Sequence, residues 1–521
     1  MRILDFEVSR FKNLRDFKIS FHNDAPVSVV VGRNGSGKSN LLEALTIIFR
    51  DLDIGKVPAF PFRLRYEVRG LEIYLVSSSA NGRIALRCYV DGTSIPSSRF
   101  LGSEGAGYRP DHVFGYYSGP GNRLESHFSA HQDRFYRDLI KGVDKPLRRL
   151  FYARNIHSNF VLLAFFLSED ADVGQLLTEH LGIASLDSVL FEMQQPPWSS
   201  RGGDSRFWNA DGTVRKLLDR LYARSLAPMR LDVPVRAPHA RSSKYVERLY
   251  LYLKDLGAVR DIYAQYGSPG EFFKALESTY LSDLIFDVRI RVKSSRTEEA
   301  LTFRELSEGE QQLLLVLGLM RFTREGESLF LLDEPDTHLN PAWSVQYRRF
   351  LSDYGGVDEG CHVLMATHDP LVVAGLLRGE VRIMDRETDG RIVAVEPRVD
   401  PRGMGVGALL TSDIYGLRSQ LDLETLDLLD HRRKLAARAP SSLSADEAER
   451  LRNLSMQLSD LGLLMEERDP EFGEYLRAKA DLEREEPIVF TRQELEENRA
   501  LARELLSEVL EVDAEERRDS H

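Results

Sequence analysis

The chain has 521 residues, 42% of them hydrophobic, and a net charge of −12, so it is too long for one ordinary domain and too apolar for wholesale disorder. Its 81 acidic against 69 basic residues exclude a surface coated everywhere in phosphate-binding charge, though not a local basic patch. Two cysteines, Cys88 and Cys361, cannot build a disulfide framework or a four-ligand zinc site, which suits a reducing cytoplasm, and no apolar run approaches a membrane span.

In chain order, Ile3, Phe6 and Val8, then Phe17, Ile19 and Phe21, predict two strands with Asn13 in the turn between them, without the apolar core of a signal peptide. Val27–Val31 is nearly continuous apolar text and predicts a strand buried on both faces. A glycine-rich loop and a helical pattern through Leu41, Leu42, Leu45 and Ile48 follow it. Alternation returns from Leu64 to Val90, with Asn81-Gly82 and Asp91-Gly92 as hairpin turns, and Val113–Tyr117 predicts another strand. From about Leu124 to Ser282 the texture is mostly helical, broken at Pro196-Pro197 and at Pro234–Ser243. Strand patterns resume at Ile285–Val292, Leu329–Leu332 and Val363–Met365, and Val381–Met384 with Ile392–Val395 reads as a hairpin around Asp389-Gly390. From Asp400 the text is charged, Leu-rich helix, with a break at Pro440-Ser441-Ser442. The expected division is one head half at 1–123, a large helical insertion at 124–283, a second head half at 284–399 and a helical C-terminal region at 400–521.

Gly32-Arg33-Asn34-Gly35-Ser36-Gly37-Lys38-Ser39 fits the P-loop spacing, between a buried strand and a helix as that pattern requires. Its glycines let backbone N–H groups curl around phosphate oxygens, and the helix that begins there, with Asn40 in its first turn, offers a positive end. Lys38 is expected to neutralise the β- and γ-phosphates of ATP, and Ser39 to ligate Mg²⁺. Ser328-Leu329-Phe330-Leu331-Leu332-Asp333-Glu334 is an apolar strand that delivers two carboxylates from a dry sheet to a polar edge. Asp333 suits the metal and Glu334 the polarisation of the attacking water.

Leu306-Ser307-Glu308-Gly309-Glu310-Gln311 stands ahead of a helical run, Gln312–Met320, and resembles the signature motif of ABC-type ATPases. Asp333-Glu334-Pro335-Asp336 continues into Thr337-His338-Leu339-Asn340-Pro341 like a D-loop, and Ala366-Thr367-His368-Asp369 is similar to the switch-histidine segment. The resemblance implies an α/β fold, a P-loop head with a mixed sheet and an antiparallel β subdomain. It implies that Ser307, Gly309 and Glu310 of one protomer face the ATP on a partner's P-loop, so that a homodimer encloses two nucleotides. It also implies that His368 follows the γ-phosphate. His338 divides between a contact across that dimer and a helix start. The segment Val113–Gly119 occupies the Q-loop place but holds no glutamine; Gln132 is a stand-in.

Phe11-Lys12-Asn13-Leu14 resembles the start of SMC-, RecF- and OLD-type ATPases, in which residues matching Lys12 and Asn13 approach the nucleotide. The text lacks the heptads of an SMC rod. Asp51-Leu52-Asp53 and Asp170-Ala171-Asp172 match a Toprim Asp-x-Asp in letters only, following helical text. The layout, with the late stretch Leu410–Leu417, most resembles the stand-alone ATPase of bacterial antiviral systems, the Septu type also found beside retrons. That likeness implies a separate nuclease partner of HNH type, higher assembly and ATP as a control signal, with nucleic acid reached through the complex and no membrane partner. The tail, with Leu454–Leu464 and Leu495–Leu510, is a solvated bundle or a docking surface. The alternative is a RecF-like repair ATPase that binds DNA directly, through Lys145–Arg149 or Arg230–Arg241. A transporter ATPase is disfavoured by the long insertion.

Overall fold

The computed structural model describes residues 1–80, 83–119, 121–139, 149–198, 204–235, 244–296, 300–322, 326–356, 360–438, 443–461, 491–497 and 499–503. The chain forms two compact units, one of residues 1–384 with 391–396, the other of residues 385–390 with 397–521. Among the described residues three sheets build the first unit.

The first sheet is antiparallel and six-stranded, in the order β2-β1-β4-β5-β6-β7. Its strands are β1 (Arg2–Phe11), β2 (Leu14–Ser20), β4 (Phe62–Val68), β5 (Leu71–Ala80), β6 (Arg83–Val90) and β7 (Thr93–Ile95). Ile3, Phe6, Val8, Phe17 and Ile19 are buried, so the alternation turns one face to the core. The expected turn between β1 and β2 falls at Lys12-Asn13, where Lys12 adopts φ 53°. Asp91-Gly92, with φ 47° and 75°, joins β6 to β7 as the two-residue hairpin its letters demand. The Asn81-Gly82 turn lies outside the described residues.

The second sheet positions the site. It has seven strands in the order β18-β17-β3-β16-β15-β8-β9. They are β3 (Val27–Val31), β8 (His112–Tyr117), β9 (Leu150–Tyr152), β15 (Ser328–Asp333), β16 (Cys361–Ala366), β17 (Val381–Arg386) and β18 (Ile392–Val395). Every residue of β3, β15 and β16 is buried, which accounts for their unbroken apolar text. His362 on β16 ties this sheet to the first. It accepts from the Ile3 N–H at 3.1 Å and donates to Ser28 Oγ at 3.0 Å, and burial pushes its imidazole down to about 3.

The third sheet lies in the stretch expected to be helical. The helices are there, among them Ile156–Phe165, Gly212–Arg224 and Pro269–Leu281. In addition β10 (Ile183–Gln194), β11 (Met229–Val235) and β12 (Lys244–Leu253) pair with β13 (Ile285–Ser294) and β14 (Ala300–Thr302) in the order β11-β12-β10-β13-β14. The insertion is therefore α/β. Leu249, Leu251 and Leu253 alternate as a half-buried strand does, and pairing over seven residues with β11 settles the register. Helices cover one face of this sheet, and the signature helix (Glu308–Phe322) runs against Ile156–Phe165 so closely that a Cβ on Gly318 would lie 2.1 Å from Val161.

In the second unit, Leu423–Ala436 packs against Ala445–Asp460, each capped at its start by Asp422 or Ser444. The expected stretch from Leu454 falls on the second of these helices, where Leu454 and Leu458 are buried; of the tail pattern, residues 462–464, 498 and 504–510 lie outside the described residues. Among the described residues no helix is long and apolar enough to cross a membrane.

Candidate functional site

Register brings the site together. In the parallel ladder Asp333 stands level with Ala366 and Tyr117, and Ala366 level with Val30. The residues that follow, Gly32 after β3, Glu334 after β15 and Thr367-His368 after β16, therefore leave one carboxyl-terminal sheet edge within neighbouring strand spacings of about 4.8 Å.

The loop after β3 needs its glycines. A Cβ on Gly32 would meet the Met384 carbonyl oxygen at 2.1 Å, and Gly37 caps the P-loop helix (Lys38–Asp53) at φ 94°. Asn34 and Gly35 form the exposed outer turn, which the Ser36 N–H closes on the Arg33 carbonyl at 3.1 Å, and Ser36, Gly37 and Lys38 are buried. Lys38 Nζ donates to the Gly32 carbonyl at 2.7 Å, and burial holds its ammonium below the usual lysine range, against the pull of Glu334 and Asp333. Asn13 Nδ2 braces the loop by donating to the Gly35 carbonyl at 2.9 Å, and Asn40 donates to Asn13 Oδ1.

Lys12 points elsewhere than expected. Its ammonium binds both oxygens of Glu43, which also accepts from Arg123 Nε and meets His127 Nε2, each at 2.7 Å. Burial opposes charge on Glu43, but the hydrogen bonds from His127, Lys12 and Arg123 win and hold its carboxyl at about 2. Sequence reasoning passed over this cluster. Its one signal was a carboxylate inside Leu41–Leu45, on the buried face of a helix. Gln132, the stand-in for the Q-loop, instead accepts from Arg154 at 3.1 Å. At the Q-loop place Ser118 braces the carboxylate edge, its N–H donating to the Asp333 carbonyl at 3.3 Å and its hydroxyl 3.0 Å from Thr337 Oγ1.

Asp333 is buried, and burial pushes its carboxyl up to about 6 although the Ser39 hydroxyl bonds to it. Among the described residues its Oδ1 has no hydrogen-bond partner. A buried, unmatched carboxylate oxygen beside a serine hydroxyl at a P-loop suits a hard cation such as Mg²⁺, which prefers oxygen ligands. Glu334 adopts φ 54°, a conformation rare outside glycine, and is held there by its N–H to the Ala366 carbonyl at 2.8 Å and by Thr337 Oγ1 on its own carbonyl at 2.9 Å. His368 Nδ1 lies 2.5 Å from Glu334 Oε2. Asp336, equally buried, accepts from Thr367 Oγ1, and burial drives its carboxyl up to about 7. It fastens the D-loop to the switch segment.

The signature forms a separate feature. Ser307 caps its helix reciprocally: Glu310 N–H donates to Ser307 Oγ at 3.2 Å, while Ser307 N–H and hydroxyl donate to Glu310 Oε2 at 2.8 and 3.0 Å. Ser307 and Glu308 are exposed and Gly309 is buried, where a Cβ would lie 2.3 Å from the His338 carbonyl oxygen. His338 also pairs with Glu308 at 3.3 Å, so within the chain the D-loop seats the signature. The Asp-x-Asp pairs mark helix ends: Asp51 and Asp53 close the P-loop helix and Asp170 caps Ala171–Gln175. Of the basic candidates, Arg149 pairs with Asp53, Arg230 with Glu247, and residues 145–148 and 236–241 lie outside the described residues.

Residues 196–374 match the family described as "AAA domain, putative AbiEii toxin, Type IV TA system", and residues 1–82 match "AAA ATPase domain". The chain is 25% identical over 231 residues to the Septu protein PtuA of Bacillus mycoides, covering 41% of this chain, and it spans about a third, 32%, of that relative's length. Among solved structures it is similar to an SmcHead bound to the C-winged helix domain of ScpA, at 13% identity and a TM-score of 0.34, over 76% of this chain and 98% of that one.

Proposed function

We propose that this chain, an SMC/ABC-like ATPase similar to the Septu type, closes head to head around two ATP molecules and so controls a separate nuclease subunit in antiphage defence. The division of the ATP machinery carries the reading. Cradle, carboxylates and His368 share one sheet edge, whereas Ser307 stands exposed on the positive end of another helix. A hydroxyl and a helix N-terminus form a second anion cradle, and a two-fold pair of chains supplies one to each P-loop.

In that closed site the P-loop amides and Lys38 hold the β- and γ-phosphates, and Ser39 with Asp333 hold Mg²⁺, which spreads phosphate charge when bound. Glu334, fixed by its backbone bonds, orients and polarises the attacking water. His368, beside that carboxylate, reports the γ-phosphate to the switch segment and, through Thr367 and Asp336, to the D-loop under the signature. Lys12 acts through Glu43 by tying the first turn to the P-loop helix, and Asn13 shapes the loop. The partner follows the Septu likeness: an HNH-type nuclease docked on the region from residue 400, in the cytoplasm.

Light scattering with ATP tests this. Glu334→Gln should bind ATP, lose at least about 100-fold in turnover and accumulate as a dimer. Ser307→Arg should bind ATP and stay monomeric. Dimerisation and turnover that survive Ser307→Arg refute the composite site. Purification with the neighbouring gene product tests the nuclease reading separately.

A further inference from the structure

The third sheet buries one face and bares the other. Val288, Ile290 and Val292 of β13 are fully buried, while Arg289, Arg291 and Lys293, which alternate with them, face outward. Alternate residues of a strand lie about 6.7 Å apart, which makes this a column of cations at close to the repeat of an extended polynucleotide backbone. Two carboxylates on the same face are sunk beneath it, and a third, Asp187, is 31% exposed and lies 3.9 Å from Arg291. Glu192 and Asp287 have side chains 7% exposed, whereas Arg289, Arg291 and Arg304 are 53%, 55% and 64% exposed. Asp287 fixes Arg289 at 3.1 Å and Arg304 at 2.7 Å from below, so the arginines stand outermost over the sunken pair of carboxylates on a chain that is acidic overall.

Beside this column the face is aromatic. Arg248 is buried with its guanidinium 3.3 Å from the Phe286 ring centre; among the described residues its Nε and Nη1 find no hydrogen-bond partner, and Nη1 lies 3.8 Å from Glu192 Oε1. Phe286 therefore lies on a cation from beneath while its residue remains 50% exposed. Tyr252 is exposed one strand pair away, where Leu190 joins it to Arg289 in the ladder. An ordinary solvated sheet face carries Thr, Lys and Glu at such positions. Open rings interleaved with arginine suit unstacked bases and their phosphates.

We propose that the open face of this sheet binds single-stranded nucleic acid, with Phe286 and Tyr252 stacking on bases and Arg291 and Lys293 on successive phosphates. Such a strand supplies the complex with a nucleic-acid input independent of the ATP site, and the proposal does not rest on the nuclease reading.

Fluorescence anisotropy of the full chain with a labelled thirty-residue oligo(dT), an oligo(U) of equal length and a duplex tests it. Single strands should bind more tightly than the duplex. Phe286→Ala or Tyr252→Ala should weaken binding about tenfold. Arg291→Ala with Lys293→Ala should flatten the log–log salt dependence by about 1.4. ATP turnover should stay at the parent level, which shows that the variants are folded. If a variant does not fold, photo-cross-linking of a bromouridine strand to the unaltered chain should map to Phe286 or Tyr252. No binding in 50 mM salt, equal binding of duplex, or parent-like binding by the folded variants overturns the proposal. So does capture of a protein on this face with the oligonucleotides unbound.

Discussion

Replacing Asp333 with asparagine should make the protein more stable and inactive. Burial lifts the carboxyl from 3.8 to about 6, so the folded state holds its proton more tightly than the unfolded chain does. Stability accordingly falls as pH rises from about 4 to 6, and the whole penalty is present above that. At 1.36 kcal/mol per unit the ionised group costs about 3 kcal/mol at pH 7.5. Asparagine has almost the same shape and no charge, and it keeps an oxygen for the Ser39 hydroxyl. With about 2.1 cal/mol/K per residue, the head unit of some 390 residues has an unfolding entropy near 0.8 kcal/mol/K, so Tm should rise by about 4 °C. Differential scanning fluorimetry of nucleotide-free protein at pH 7.5 and pH 4.5 measures this. The gain should shrink at the lower pH, where the native carboxyl is already protonated. With ATP and Mg²⁺ the order should reverse, because only the parent holds the metal. Equal Tm values at pH 7.5, or a gain that ignores pH, refute the reasoning.

Glu43→Ala leaves Lys12, Arg123 and His127 without their common carboxylate. Because Lys12 and Arg123 are 43% and 49% exposed, the expected loss is about 1–3 kcal/mol, below that for a fully buried pair, measured by urea unfolding. Its depressed carboxyl also predicts that the parent loses this contribution as pH falls from 4.5 through about 2, a limb the variant should lack. Gly309→Ala drives a methyl group into the His338 carbonyl and should cost about 1–3 kcal/mol. ATP-dependent dimerisation should weaken with it while ATP binding by the monomer persists; unchanged dimerisation refutes the D-loop seat.

The sequence by itself determined the strand-loop-helix of the P-loop, the apolar strand that ends in Asp333-Glu334, and the serine-capped signature helix. These are local patterns in which glycine φ angles, burial on both faces and capping leave little choice. It also placed Lys12 and Asn13 in one turn, but the partner of each was a tertiary matter. Only the packing of that turn on the P-loop helix directs Lys12 to Glu43 and Asn13 to Gly35. The third sheet was likewise hidden: helices separate β10 from β11 and β12 from β13, and the short alternations of these strands compete with helical text until cross-strand pairing fixes them. Tertiary structure alone decided which face of that sheet is bare, because covering one side with helices is a long-range event that no window of residues records. The same holds for Gly309 under His338, where two segments each readable by themselves meet by packing.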